Sequence, residues 1–302
     1  MRKTIVFTVL LILLVSPTLA TPLNITCMEP RTIGQSLNPG PLNFIPRHIG
    51  PYKVMKVIEW PLDSNLADIE FYNGSIYLLE EYNGLIHELD PKTGNTVDTF
   101  YINGLTNYWL PPGNNPTNSL HDDWPFDNPR GLAQVNGKFY MATRLEEELL
   151  RELALNEPFP ETIDPNKINR FKDQYGPTDL APSSDGNLFY SEYLGDINKI
   201  DPQTANVIYT IPSPSDFIYG LTFDGENLIA VYGPGGDQGK TFWLLDSQTG
   251  QVLETWTNQR WPDYISGLSY DQNTDTLYIT TADRIIIAQK PQTKYKNATP
   301  FS

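Results

Sequence analysis

The chain has 302 residues and one cysteine, with 36 acidic against 21 basic side chains and a formal net charge of −15. That balance excludes a generic nucleic-acid binder, which needs clustered lysine and arginine to meet phosphates. Aromatics at 12% exclude a disordered acidic chain, and 26 prolines with 21 glycines predict many turns and little long helix.

The N-terminus reads as an export signal. Arg2 and Lys3 precede an apolar run from Thr4 to Val15, and Thr18-Leu19-Ala20 supplies a small-residue cleavage site. The run is shorter than the ~20 apolar residues a spanning helix needs, and no later run is long enough. The expectation is a signal peptide at 1–20, a secreted or extracytoplasmic protein, and no membrane span after cleavage; an uncleaved anchor is the alternative. Residues 21–50 form an N-terminal extension and 291–302 a C-terminal tail. Cys27 follows Asn24-Ile25-Thr26, which is not a lipobox, so it stays free or pairs between chains. Acceptor triplets at Asn24, Asn73 and Asn297 permit glycosylation of an exported chain.

Between residues 51 and 290 the chain repeats itself. Five segments share a short apolar strand, a Gly- or Asn-containing turn and an alternating strand. They begin at Ala67-Asp68-Ile69, Arg130-Gly131-Leu132, Thr178-Asp179-Leu180, Tyr219-Gly220-Leu221 and Ser266-Gly267-Leu268. Most spacings match a propeller blade of about 40–50 residues. A second hairpin recurs at Leu89-Asp90-Pro91-Lys92-Thr93-Gly94, Ile200-Asp201-Pro202-Gln203-Thr204 and Leu245-Asp246-Ser247-Gln248-Thr249-Gly250, where Asp and Thr-Gly form a tight turn before a β-branched strand. The predicted fold is all-β, a β-propeller of five blades, or six if 102–129 hides a degenerate one. The last repeat lacks a fourth strand, and the N-terminal strand at 52–60 is expected to supply it and close the ring. One helix is expected over Arg144–Leu155, from the apolar spacing of Leu145, Leu149, Leu150 and Leu153.

The third and fourth segments resemble the streptogramin lyase-like and NHL-type propellers. The residues that carry this are Pro177-Thr178-Asp179-Leu180, Asp185-Gly186-Asn187-Leu188-Phe189-Tyr190-Ser191-Glu192, Ile197-Asn198-Lys199-Ile200-Asp201-Pro202 and Tyr219-Gly220-Leu221. The resemblance covers about 67–290 and extends to the wider SMP-30/gluconolactonase and strictosidine synthase-like group. Its motifs are turn-and-strand signals, so they imply a fold more than an activity. Lactonases of that group hold a divalent metal with Glu, Asn and Asp, two of them just before a Gly that opens an inner strand. At that place this chain has Arg130, Thr178, Tyr219 and Ser266, none a strong ligand in that role.

The repeat alignment places Asp68 and Asp179 at matching starts of inner strands. It places Glu80 and Glu192 at matching ends of second strands, where Thr143, Tyr232 and Thr281 stand in the other repeats. With Glu81, Arg130 and Arg144 these make a polar rim, walled by insertions at 102–129 and 144–164. One reading is a ligand site formed by Asp68, Glu80, Arg130, Asp179 and Glu192, with Asp68 and Asp179 as ligands for a divalent cation such as calcium. Another makes His121 and Glu192 catalytic groups, since paired carboxylates and a histidine can exchange protons. The plainest has Asp68 and Asp179 as structural hydrogen-bond acceptors. No zinc-type spacing, nucleophile elbow or phosphate loop is present; Gly233–Gly239 reads as a hairpin loop. Trp109, Trp124 and Trp261, with Tyr108, Phe126 and Tyr264, precede inner strands, as a binding platform or as packing for the insertions. The expected function is an exported propeller that binds a small molecule, glycan or protein on its insertion-bearing face; the alternative is a hydrolase or lyase using the rim carboxylates.

Overall fold

The computed structural model describes residues 47–60, 66–80, 85–101, 128–144, 149–153, 168–170, 176–232, 240–258 and 264–290. The signal peptide, the sequence before residue 47, the tail, most of the 102–129 stretch with His121, Trp109, Trp124, Tyr108 and Phe126, the 233–239 loop and Trp261 lie outside them. Among the described residues every element is a strand.

The chain enters through β1 (His48–Ile49) and β2 (Tyr52–Glu59). Blade 1 follows as β3 (Leu66–Tyr72), β4 (Ser75–Glu80), β5 (Leu85–Leu89) and β6 (Thr96–Tyr101). Blade 2 is β7 (Asn128–Val135), β8 (Lys138–Arg144), β9 (Leu149–Leu153) and β10 (Ile168–Arg170). Blade 3 is β11 (Pro177–Pro182), β12 (Leu188–Glu192), β13 (Ile197–Ile200) and β14 (Val207–Ile211). Blade 4 is β15 (Ile218–Phe223), β16 (Asn227–Tyr232), β17 (Lys240–Asp246) and β18 (Val252–Asn258). Blade 5 is β19 (Ile265–Asp271), β20 (Thr276–Thr281) and β21 (Arg284–Gln289). Each sheet is antiparallel and consecutive, and the fifth runs β1-β2-β21-β20-β19.

The N-terminal strand therefore does close the ring. Residues Lys53 to Glu59 of β2 pair with Gln289 to Arg284 of β21, and β1 adds a short fifth strand outside. Tyr52 is 1% exposed and meets Trp256 of blade 4 edge-on at 5.9 Å, so the closure also fastens blade 5 to its neighbour. The innermost strands touch in the cycle β3, β7, β11, β15, β19 and back to β3. That cycle fixes five blades and leaves no gap for a sixth.

The core follows from the blade count. Five apolar clusters lie between blades, one at each interface. Leu78 and Ile69 of blade 1, for example, pack against Ile285 and Tyr278 of blade 5, and Leu180 and Tyr190 of blade 3 against Ala142 and Leu150 of blade 2. Each fully buried Leu or Ile contributes about 1.5–3 kcal/mol by leaving water. Period-2 alternation on both faces of each strand supplies both neighbours at once.

The outer hairpins form the turns expected from their Asp and Thr. Asp90 accepts from the Lys92 amide at 2.9 Å and Asp246 from the Thr249 amide at 2.8 Å. The residue closing each turn is left-handed: Gly94 at φ 82°, Gly250 at φ 72°, and Ala205, which takes the same role at φ 51°.

The helix expected at 144–155 is not there. Leu149–Leu153 is β9, paired with β8 through Met141↔Arg151 and with β10 through Leu150↔Asn169. Leu150 is buried toward blade 3 while Leu153 packs toward blade 1, so the run has two apolar faces of period 2 rather than one helical stripe. Pairing to β8 outweighs the modest helix propensity of Leu, Glu and Arg. The long segment of this blade thus leaves after its third strand, not before it.

Candidate functional site

Each inner strand carries a bulge at the same place. The register slips between Leu66 and Asp68, Pro129 and Gly131, Pro177 and Asp179, Ile218 and Gly220, and Ile265 and Gly267. The extra residue is Ala67, Arg130, Thr178, Tyr219 or Ser266. A bulge re-aims the side chain that follows it. In two blades that residue is aspartate, and in three it is glycine.

The aspartates bridge blades. Asp68 Oδ1 accepts from its neighbour Ile69 N at 2.7 Å, and Oδ2 accepts from Leu132 N of blade 2. Asp179 Oδ1 accepts from Leu180 N at 2.7 Å, and Oδ2 from Leu221 N of blade 4 at 2.5 Å. The glycines make room for them: a Cβ on Gly267 would lie 2.0 Å from Asp68 Oδ1, and one on Gly131 2.6 Å from Leu180 N.

Across the channel the two carboxyls hydrogen-bond to each other, with both side chains at 0% exposure. Burial raises both well above the usual carboxylate range, and the Asp179 charge adds to the effect on Asp68. Glu70, two residues along the same face of β3, takes Ser269 Oγ of blade 5 at 2.8 Å and Gln134 N of blade 2 at 3.0 Å. Burial pushes its carboxyl up to about 8 against those hydrogen bonds. The rim position expected for Asp68 and Asp179 is thus an interior one. All four of their oxygens already accept backbone amides, and among the described residues no three His, Cys, Asp or Glu converge in a metal-binding arrangement.

Glu80 and Glu192 do end their second strands at matching positions, opposite Leu66 and Pro177. Glu80 is 4% exposed and its Oε1 lies 3.1 Å from His87 Nε2. His87 Nδ1 lies 3.0 Å from Thr99 Oγ1, and its ring leans on Trp60 at 5.2 Å. Glu192 is half-buried, and its Oε1 accepts from Tyr190 OH at 3.0 Å and from Asn198 Nδ2. Arg130 is half-buried within the blade 2 bulge. The structure thus joins Asp68 to Asp179 but holds Glu80 and Glu192 in separate networks. His87 lies in a strand, as its place between Ile86 and Glu88 predicts, and the Asp68-x-Glu70 alternation is the signal that places Glu70, not among the sequence candidates, on the channel face.

The same edge of blades 3 to 5 presents an arc of half-exposed aromatic rings. Tyr193 meets Phe217 at 5.2 Å, Phe217 meets Tyr232 at 6.3 Å, and Tyr219 meets Tyr264 at 5.3 Å. All lie where an inner strand begins or a second strand ends, which puts them on one face. Glu192 adjoins Tyr193 and Asp216 adjoins Phe217 in the chain, and Asp196 and Asp216 are exposed.

No protein-family model matches the chain, and no curated protein matches its sequence. Solved structures match its fold. Glutaminyl cyclase of Myxococcus xanthus aligns with a TM-score of 0.55 at 13% identity, over 79% of this chain and 95% of that one. The WD40 β-propeller domain of Doa1 aligns at 0.45 and 13% identity over 76% and 64%, and BamB of Moraxella catarrhalis at 0.39 and 17% over 74% and 59%. At these identities the likeness is one of fold, and the chain is a β-propeller whose chemistry rests on its own residues.

Proposed function

We propose that the protein is a non-catalytic, exported binding module whose partner docks on the aromatic arc of blades 3 to 5. The observation that carries this reading is the arc itself. Five half-exposed Tyr and Phe rings on one face supply rigid contact area with polar tips, the chemistry common at recognition surfaces. The acidic groups beside it and the net charge of −15 favour a partner with cationic groups, such as a lysine- or arginine-bearing polypeptide, over a nucleic acid or an anionic glycan. The channel pair supports the same reading from the other side. Carboxyls with no exposure and every oxygen on a backbone amide are poor general acids for an outside substrate.

A single pair of titrations tests it. Tyrosine and tryptophan fluorescence is followed while basic peptides, acidic peptides and neutral oligosaccharides are added to the wild type and to Tyr219→Ala/Tyr264→Ala. Saturable binding of basic peptides, weakened in the double variant, is the expected result. Binding unchanged by the double variant would remove the arc from the reading. Resemblance to the streptogramin lyase-like and gluconolactonase propellers supplies the rival: turnover of a lactone or ester panel, abolished by Glu192→Gln, would make Glu192 a catalytic group and replace the binding reading.

A further inference from the structure

Blades splay apart toward their outer strands, and between blades 1 and 2 this opens a cleft of about 460 Å³ on the face opposite the aromatic arc, beside the Asn73-Gly74 and Asn136-Gly137 turns. Four aromatic side chains line it. Phe139 forms the floor at 6% exposure, Tyr77 packs on it at 4.7 Å and Tyr72 meets it edge-on at 5.8 Å; Phe100 of the outer strand closes one side.

Two carboxylates line the cleft, and they differ. Glu152 is neutralised by Lys138 Nζ at 2.9 Å. Glu88 has no basic partner among the described residues; it accepts from Ser75 Oγ at 2.6 Å and from the Tyr77 hydroxyl. Burial and then the Glu88 charge hold the Tyr77 phenol up at about 12, so that hydroxyl stays neutral and cannot offset the carboxylate. The cleft therefore combines ring faces, which carry negative quadrupole potential, with one uncompensated anion.

We propose that this cleft binds an organic ammonium group, primary or quaternary, with the cation against Glu88 and its alkyl substituents on Tyr72, Tyr77 and Phe139. Ammonium ions are the ligands for which both components are attractive: rings favour the cation's diffuse charge, and the carboxylate favours its N–H donors or its net charge. A neutral saccharide would stack on the rings but leave the charge of Glu88 unused. The site is independent of the aromatic arc and involves none of its residues. A free amine and the lysine side chain of a polypeptide offer the same group.

Calorimetric titration of the purified protein at low salt distinguishes these. The probes are n-butylammonium, tetramethylammonium, a blocked lysine tripeptide, 1-butanol and methyl glucoside. Saturable binding of an ammonium probe, with none from butanol, is expected, and the stronger of butylammonium and the tripeptide names the source. Glu88→Gln is expected to weaken it about tenfold, since one charge-assisted contact is lost. Lys138→Ala, at an exposed position, is expected to tighten it about threefold by removing a competing cation from the cleft wall. Thermal unfolding of each variant separates lost binding from lost fold; if Glu88→Gln fails to fold, the direction of the Lys138→Ala change decides. No saturable heat with any ammonium, equal binding of butanol, binding untouched by both substitutions, or saturation by methyl glucoside alone would overturn the proposal.

Discussion

Asp179 and Asp185 belong to one blade and flank the end of one strand, yet their carboxyls are shifted in opposite directions. Asp179 faces the channel at 0% exposure, bonded to two backbone amides and to Asp68, and burial drives its proton affinity up. Asp185 sits in the turn after β11. Burial works against it, but Lys199 Nζ at 2.7 Å and the Asn187 amide at 3.2 Å hold its carboxyl down at about 2. Neutral hydrogen-bonding groups and a second carboxyl surround the first; a cation and solvent surround the second. The channel uses aspartate as a joint between blades, and the turn face uses it as a charge.

The sharpest way to break this contrast is to remove a joint. Asp179→Ala leaves the Leu180 and Leu221 amides without an acceptor in a site that water does not reach, and it strips Asp68 of its partner. The expected loss is about 3–5 kcal/mol in urea unfolding, set by stranded buried polar groups. A loss below about 1 kcal/mol would mean that water enters the channel and satisfies them. Next in size is Gly267→Ala, whose methyl would meet Asp68 Oδ1 and, at 2.7 Å, its Cα. Backbone cannot swing away as a side chain can, so about 2 kcal/mol or more is expected. Gly74→Ala is the control: nothing lies within 4 Å of its Cβ, and only its φ of 88° is at stake, for about 1 kcal/mol.

The sequence was most legible where one residue's role repeats. The Asn73-Gly74 and Asn136-Gly137 turns and the Asp90 and Asp246 hairpins recur from blade to blade, and each is a local conformational demand, so the propeller and a count of five or six blades could be read from them, while the missing fourth strand of the last repeat pointed to ring closure. The alignment of Asp68 and Asp179 with Gly131, Gly220 and Gly267 was equally visible. Its meaning was not, because it depends on which backbone amide of the next blade lies opposite. Leu149–Leu153 misled for a related reason: two apolar faces of a strand mimic helical spacing when Leu falls on both. The aromatic arc spans three blades, and no linear spacing links Tyr193 to Tyr264.

pH separates the two environments along one axis. Glu70 rises from 4.5 to about 8, so the folded protein holds this proton more tightly than the unfolded chain does. Its contribution is present in full below about pH 4.5 and is lost as pH climbs toward 8; the Asp68–Asp179 pair, raised by burial, adds in the same direction. Asp185 is opposite: its contribution is present above about pH 4 and is lost as pH falls toward 2. Stability is expected to peak on the acid side of neutral and to fall above it, by up to about 1.4 kcal/mol per pH unit for each proton released. Glu70→Gln should make the limb between pH 5 and 8 shallower, leaving the part due to the Asp68–Asp179 pair, and leave the acid limb in place. An identical slope from pH 5 to 8 in the wild type and Glu70→Gln would show that Glu70 is charged in its folded setting.

The smallest expected effect concerns two lysine–carboxylate pairs that differ chiefly in burial of the cation. Lys199 is 7% exposed along its side chain, bonds to Asp185 and lies 5.2 Å from the Phe189 ring centroid and 5.5 Å from that of Tyr209. Lys138 is 46% exposed and bonds to Glu152 at 2.9 Å. Methionine keeps the stem of either lysine and removes the charge. Lys199→Met is expected to cost about 1 kcal/mol, because two ring faces and a carboxylate lose one desolvated cation, while Asp185 at 51% exposure stays hydrated and is not stranded. Lys138→Met should cost at most about 0.5 kcal/mol, as exposed pairs do. The acid limb offers a check that packing alone would not move: in Lys199→Met the Asp185 carboxyl should rise toward its ordinary value, and the loss of stability should begin at higher pH. If the two substitutions cost the same and the limb does not move, proximity to Phe189 and Tyr209 contributes nothing, and Asp185 is held down by its turn amides rather than by the lysine.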